Sequence, residues 1–200
     1  MENSGFFHNE GTLNAFGADV ELHGESALMN WGRMEEVGHL LIGFGSVVAE
    51  GGGFDSLNAQ RMTVDGILTS INPLDLTNAE ITVNGQFRTY GNSFSLNGSS
   101  SLMINEYGIT DCLFTAWYLN DSSRIENRGE MHFFGFHEFP VTLNSAMYNY
   151  GSVQMGVPLY LNWYLRNDGE FRLHNTTADS LVSWGPDGNV EGNPLVPKLD

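Results

Sequence analysis

The sequence is short of positive charge, cysteine and long apolar runs, and each shortage removes a class of function. Eight Lys and Arg stand against 24 Asp and Glu, a formal charge of −16, so a phosphate backbone is repelled and nucleic acid is not an expected partner. Cys112 is the single cysteine, which rules out an intrachain disulfide; its alternating context, "GITDCLF", reads as a small buried apolar side chain rather than a nucleophile. No stretch approaches the roughly 20 apolar residues that a membrane-spanning helix needs. The opening "MENSGFFHNEG" lacks the basic and apolar regions of a signal peptide, so either export does not use that route or Met1 is not the native start. Metal-ligand spacing is missing as well. The histidines show no HExxH arrangement, and the acids beside glycine in "MENSGFFHNEG" and "SWGPDGNVEG" do not alternate as calcium-loop ligands do. No cofactor is expected, and calcium has no motif to support it.

Present instead are 41% hydrophobic residues, enough to fill a core, and glycines at a steady interval. Segments centred on Gly11, Gly32, Gly66, Gly85, Gly108, Gly129, Gly151 and Gly169 superpose without internal gaps, as in "ALMNWGRMEE", "EITVNGQFRT" and "RIENRGEMHF". Gly32 to Gly66 reads as two steps, with "LLIGFGSVVAEGGGF" filling a degenerate copy, so the repeat is about 20 residues long and occurs about nine times. Within a copy, apolar residues fall four before and two after the glycine, as in Ile125 and Met131, with polar residues between them. That period of two is a strand period and excludes helix for these segments.

The position two before the glycine shares the inward phase, yet it is Asn9, Asn30, Asn127, Asn149 and Asn167, replaced by Val64 and Val83 in two copies. A buried amide is costly unless bonded, and identical amides on successive coils can bond each other. A second asparagine series follows a leucine marker at Asn58, Asn97, Asn120, Asn144 and Asn162. Short strands, repeated polar turns and one sequence neighbour on each side predict an all-β solenoid of parallel strands, on the order of 40 Å long at about 4.8 Å per coil. An immunoglobulin-like sandwich would also have many short strands, but it predicts no asparagine recurring at one inward phase. The array is expected over residues 1–174. Residues 175–200 are expected to be a cap, linker or tail, with Trp184 closing the last coil and Phe6 and Phe7 the first.

The loose unit "hxLNxSxhxNxGxhxh" resembles right-handed parallel β-helix proteins, notably bacterial secreted or surface-displayed passengers and phage fibre segments, over roughly residues 5 to 175. The resemblance implies a non-enzymatic structural or adhesive module at the cell surface or in a filament, meeting copies of itself or a carbohydrate. It also raises an alternative, a polysaccharide lyase or hydrolase. Glu130, His132, Glu170 and Arg172 share an outward phase two copies apart, and two carboxylates at suitable separation do acid and base work on a glycosidic bond. Against this, outward residues of opposite charge on neighbouring strands pair as ordinary solvent-facing ions. Trp117, Tyr118, Trp163 and Tyr164 are the aromatics expected on a contact surface.

Overall fold

The computed structural model describes residues 5–50, 57–71, 73–91, 93–136, 138–174 and 182–198. They form a parallel β-solenoid of about eight turns, roughly 21 residues per turn, with no helix. Hence no helix among them is long and apolar enough to cross a membrane. Two sheets run the length of the solenoid, with ten strands each, and a third of six strands joins them from Leu74 onward. One regular turn passes through β16 (Arg124–Asn127) in the second sheet, β17 (Glu130–Phe134) in the first and β18 (Val141–Leu143) in the third, then returns to the second at β19 (Ala146–Asn149).

Alternation puts every second side chain inside, and beyond the first turns a constant register lines these up in columns. Met62, Ile81, Leu102, Ile125, Met147 and Leu165 stack along the second sheet, and Leu76, Leu96, Leu119, Leu143 and Leu161 along the third. All are buried. The turn from the second sheet to the first leaves no room for a side chain at its glycine. A Cβ on Gly129 would run into the carbonyl oxygens of Gly108 and Asn105, and one on Gly151 into that of Gly129. Glycine recurs there because successive coils touch backbone to backbone.

The repeat changes phase near the N-terminus. In β1 (Phe6–Asn9) and β4 (Ala27–Asn30) the "NxG" unit ends a strand of the first sheet, whereas from Gly66 onward the glycine follows a strand of the second. Gly32 to Gly66 is therefore one full turn and most of another, not two. The first turns also lack a separate third sheet. The long β5 (Arg33–Ile42) and β7 (Leu57–Val64) cover that side and the second sheet in one strand, β5 shifting register between Met34 and Val37.

Within the segment expected to be a cap, linker or tail, β24 (Val182–Trp184), β25 (Asn189–Gly192) and β26 (Val196–Lys198) pair in parallel with the preceding turn in all three sheets. The expectation that aromatics close the ends is corrected: Trp184 is exposed rather than inside the last turn, and Phe6 and Phe7 are 65% and 50% accessible rather than buried in the first.

Candidate functional site

Asparagine side chains bond in four ladders rather than two, the fourth being Asn105 donating to Asn84 at the corner between the second and first sheets. In the second sheet, Nδ2 of Asn127 donates to Oδ1 of Asn149 (2.8 Å), and Nδ2 of Asn149 to Oδ1 of Asn167 (2.7 Å). Asn9 donates to Asn30 (2.6 Å) in the first sheet, one corner away, so the five inward amides are not one column. Ile104 lies beside Asn127 and ends the amide run, leaving Asn127 Oδ1 buried without a partner. The third ladder is partly solvent-facing: Asn162 donates to Asn144 (2.7 Å), Asn144 to Asn120 (2.8 Å) and Asn120 to Asn97 (2.9 Å). Asn58 belongs to a strand of the second sheet, and its side chain lies outside the described residues. Just beyond the third ladder, Asn78, Gly98 and Asp121 take positive φ, the conformation that Asn, Asp and Gly tolerate.

The acidic face sits on the outside of the first sheet. Glu130, Ser152 and Glu170 form one column; Arg88, Asp111, His132, Gln154 and Arg172 form the next. Glu130 and Glu170 are two strand spacings apart, about 9.6 Å, at the far end of the range used by two carboxylates acting on one glycosidic bond. Each is engaged by its own strand. Arg172 Nη2 lies 2.5 Å from Glu170, and His132 Nε2 lies 3.4 Å from Glu130. The same i, i+2 pairing joins Arg128 to Glu126, Arg166 to Asp168 and Arg33 to Glu35. Asp111, absent from the sequence-predicted set, accepts from His132 Nδ1 at 2.9 Å and faces Arg88 Nε at 3.6 Å. Its signal was available: it occupies the outward phase beside Cys112. Among the described residues, no group of three His, Cys, Asp or Glu converges as a metal site.

The aromatics divide differently from expectation. Trp117 is not on the surface: it is fully buried, packs on Phe94 (ring centroids 4.2 Å apart) and Phe133 (5.3 Å), and donates Nε1–H to Thr89 Oγ1 at 3.2 Å. Four aromatics of the core meet there, because Phe94 and Trp117 are cross-strand partners and Phe133 and Phe87 face them from the first sheet. Tyr118 is half-buried on the outside of the third sheet. Tyr164 stacks edge-on against Tyr148 and donates its hydroxyl to Glu191 Oε2 at 2.8 Å, which pushes its pKa up. Trp163, 52% exposed, borders a cleft with Tyr148, Arg124, Asn144 and Asp121 at the corner between the third and second sheets.

Other exposed aromatics escape sequence periodicity because they stand at corners, outside the alternation. Phe114 and Phe136 stand at the corner after the first sheet, next to Phe134 at the outward-facing end of β17, and Phe114 holds a φ of 52° that a bulky residue rarely adopts. Tyr107 and Tyr150 edge a second cleft with Asn105, Glu106 and Arg128 at the corner between the second and first sheets. A third cleft, lined by Phe7, Leu13, Val20, Leu22 and Leu28, is the open N-terminal end of the apolar core. Burial pushes the Cys112 thiol well above its ordinary pKa, which suits packing and opposes nucleophilic chemistry. No family model matches the chain, and neither does any curated protein or solved structure.

Proposed function

We propose that this chain is a non-enzymatic structural or adhesive module, a stiff β-helical rod that acts at a cell surface or in a filament and joins copies of itself end to end. One observation carries the reading. Among the described residues, β1 and β26 are the outermost strands of the first sheet and β24 is an outermost strand of the third, so at each end an edge strand has no described strand beyond it. At the N-terminal end the edge surrounds an apolar opening bordered by Phe7, Leu13 and Leu28. Unpaired edges around exposed core are satisfied by one more parallel coil, and a second copy supplies one at its opposite end. The contact is heterologous, so it propagates instead of closing. Negative-stain microscopy of the purified chain should reveal rods longer than one solenoid. Phe7→Lys, which buries a charge only when another coil docks, should shorten them to single units.

The enzymatic reading rests on Asp111 and Glu130 flanking His132, an arrangement that could move a proton. It is tested by turnover of a polysaccharide panel. Activity abolished by Glu130→Gln or Glu170→Gln would replace the structural reading, while an inactive wild type supports it.

A further inference from the structure

We infer that the corner cleft between Tyr107 and Tyr150 binds a neutral oligosaccharide lying along the solenoid axis. The cleft exists because one turn carries an insertion. Register aligns Ile104 with Asn127, so Asn105 stands level with Arg128 and, one coil on, with Tyr150. Arg128 and Tyr150 are followed at once by the stacking glycines Gly129 and Gly151, but Glu106 and Tyr107 intervene before Gly108. The two extra residues bulge outward in a turn closed by Gly108 N–H donating to the Asn105 carbonyl at 2.8 Å. At its tip, Tyr107 is 84% exposed although no core position calls for an aromatic there.

The remaining groups are fixed and partly unused. Glu126 holds the Arg128 guanidinium through Nε (2.8 Å) and Nη2 (2.7 Å), while Nη1 meets no partner among the described residues. The Asn105 amide donates to Asn84, which donates to Asp65 at 2.6 Å, so the Asn105 side chain is held from one side and its Oδ1 accepts nothing from the described residues. A sugar ring offers an apolar C–H face that stacks on tyrosine and a rim of hydroxyls that exchange hydrogen bonds with amide, carboxylate and guanidinium. Asn105 and Tyr150 stand two coils apart, about 9.6 Å, a span that suits a disaccharide unit better than one ring. Glu106 and Glu126 outweigh Arg128 in charge, which favours a neutral glycan over a uronate polymer.

The test is affinity electrophoresis through gels holding galactomannan, xyloglucan, mixed-linkage β-glucan or dextran, with polygalacturonate as the anionic comparison. At least one neutral polymer should retard the wild-type chain. Tyr107→Ala and Tyr150→Ala should each weaken that retardation at least tenfold, while Tyr107→Phe keeps it. Phe44→Ala and Trp163→Ala, which remove exposed aromatics elsewhere, should leave it unchanged. The inference is overturned if no neutral polymer retards the wild type, if retardation survives both tyrosine-to-alanine changes, if Trp163→Ala is the change that abolishes it, or if polygalacturonate retards the chain equally. Because self-association is read separately, Phe7→Lys should bind the same polymer as the wild type.

Discussion

At the scale of single residues, the amides of the second sheet differ in what each holds. Asn149 is central: it accepts from Asn127, donates to Asn167 and donates to the Glu170 carbonyl at 3.0 Å. Asn127 is terminal, with an unsatisfied oxygen beside Ile104. Asn127→Leu should therefore cost less than Asn149→Leu, which strands a donor on one side and an acceptor on the other, on the order of 1–3 kcal/mol for each buried group left unpaired. Asn149→Asp should cost most, about 3–5 kcal/mol, because it buries an uncompensated charge. Urea denaturation of the three variants checks the order. Cys112, buried with its thiol pKa raised, should react with a neutral-pH thiol reagent only after unfolding, one equivalent per chain.

At the scale of elements, corners and strand pairs decide stability. Gly129→Ala should lower the melting temperature sharply, since its Cβ meets backbone and cannot be accommodated by a rotamer change; overpacking of this kind costs about 1–3 kcal/mol or more. Gly11→Ala should be nearly neutral, because Gly11 lies at the open end of its stack and a methyl group added there would meet nothing within 4 Å. Trp117→Ala should cost about 3–5 kcal/mol, as expected for a large aromatic removed from a core. The strand pair β22 (Tyr164–Asn167) and β25 carries a pH signature. The hydrogen bond to Glu191 raises the Tyr164 pKa in the folded state, so its contribution is complete below the ordinary tyrosine value of about 10 and fades as pH rises through the higher folded value. An absorbance titration at 295 nm should show Tyr164, identified by difference from Tyr164→Phe, ionising late. Glu191→Gln should bring it back toward the others.

The parallel solenoid was legible because period-two alternation and a recurring glycine leave marks at fixed spacing. Its phase shift was not: "NxG" serves equally at either corner, and the choice depends on which strand pairs with which. Trp117 was misplaced for a related reason. In "AWYL" the inward phase can be read from Trp117 or Tyr118, and the cross-strand contact with Phe94 settles it. The cleft at Tyr107 was hidden inside a segment that superposed on its neighbours by its glycine alone, because two inserted residues change a corner without changing the alternation on either side.

At the scale of the whole molecule, about eight turns stack into a solenoid whose sheets turn alternate polar side chains outward and whose first turn exposes Phe6 and Phe7. The faces carry the pairs Glu126–Arg128, Arg166–Asp168 and Glu170–Arg172, and in the proposed assembly the charge of −16 opposes lateral clustering, so that contact would run axially through strand edges and the apolar N-terminal opening. Association should accordingly strengthen as salt screens the like charges of two chains. Sedimentation velocity over a concentration series at moderate salt tests end-to-end association. The sedimentation coefficient should climb with concentration as elongated multimers form, and a Phe7→Lys variant should stay monomeric throughout. A wild-type chain that remains a single monomeric species at the highest concentration would contradict end-to-end association.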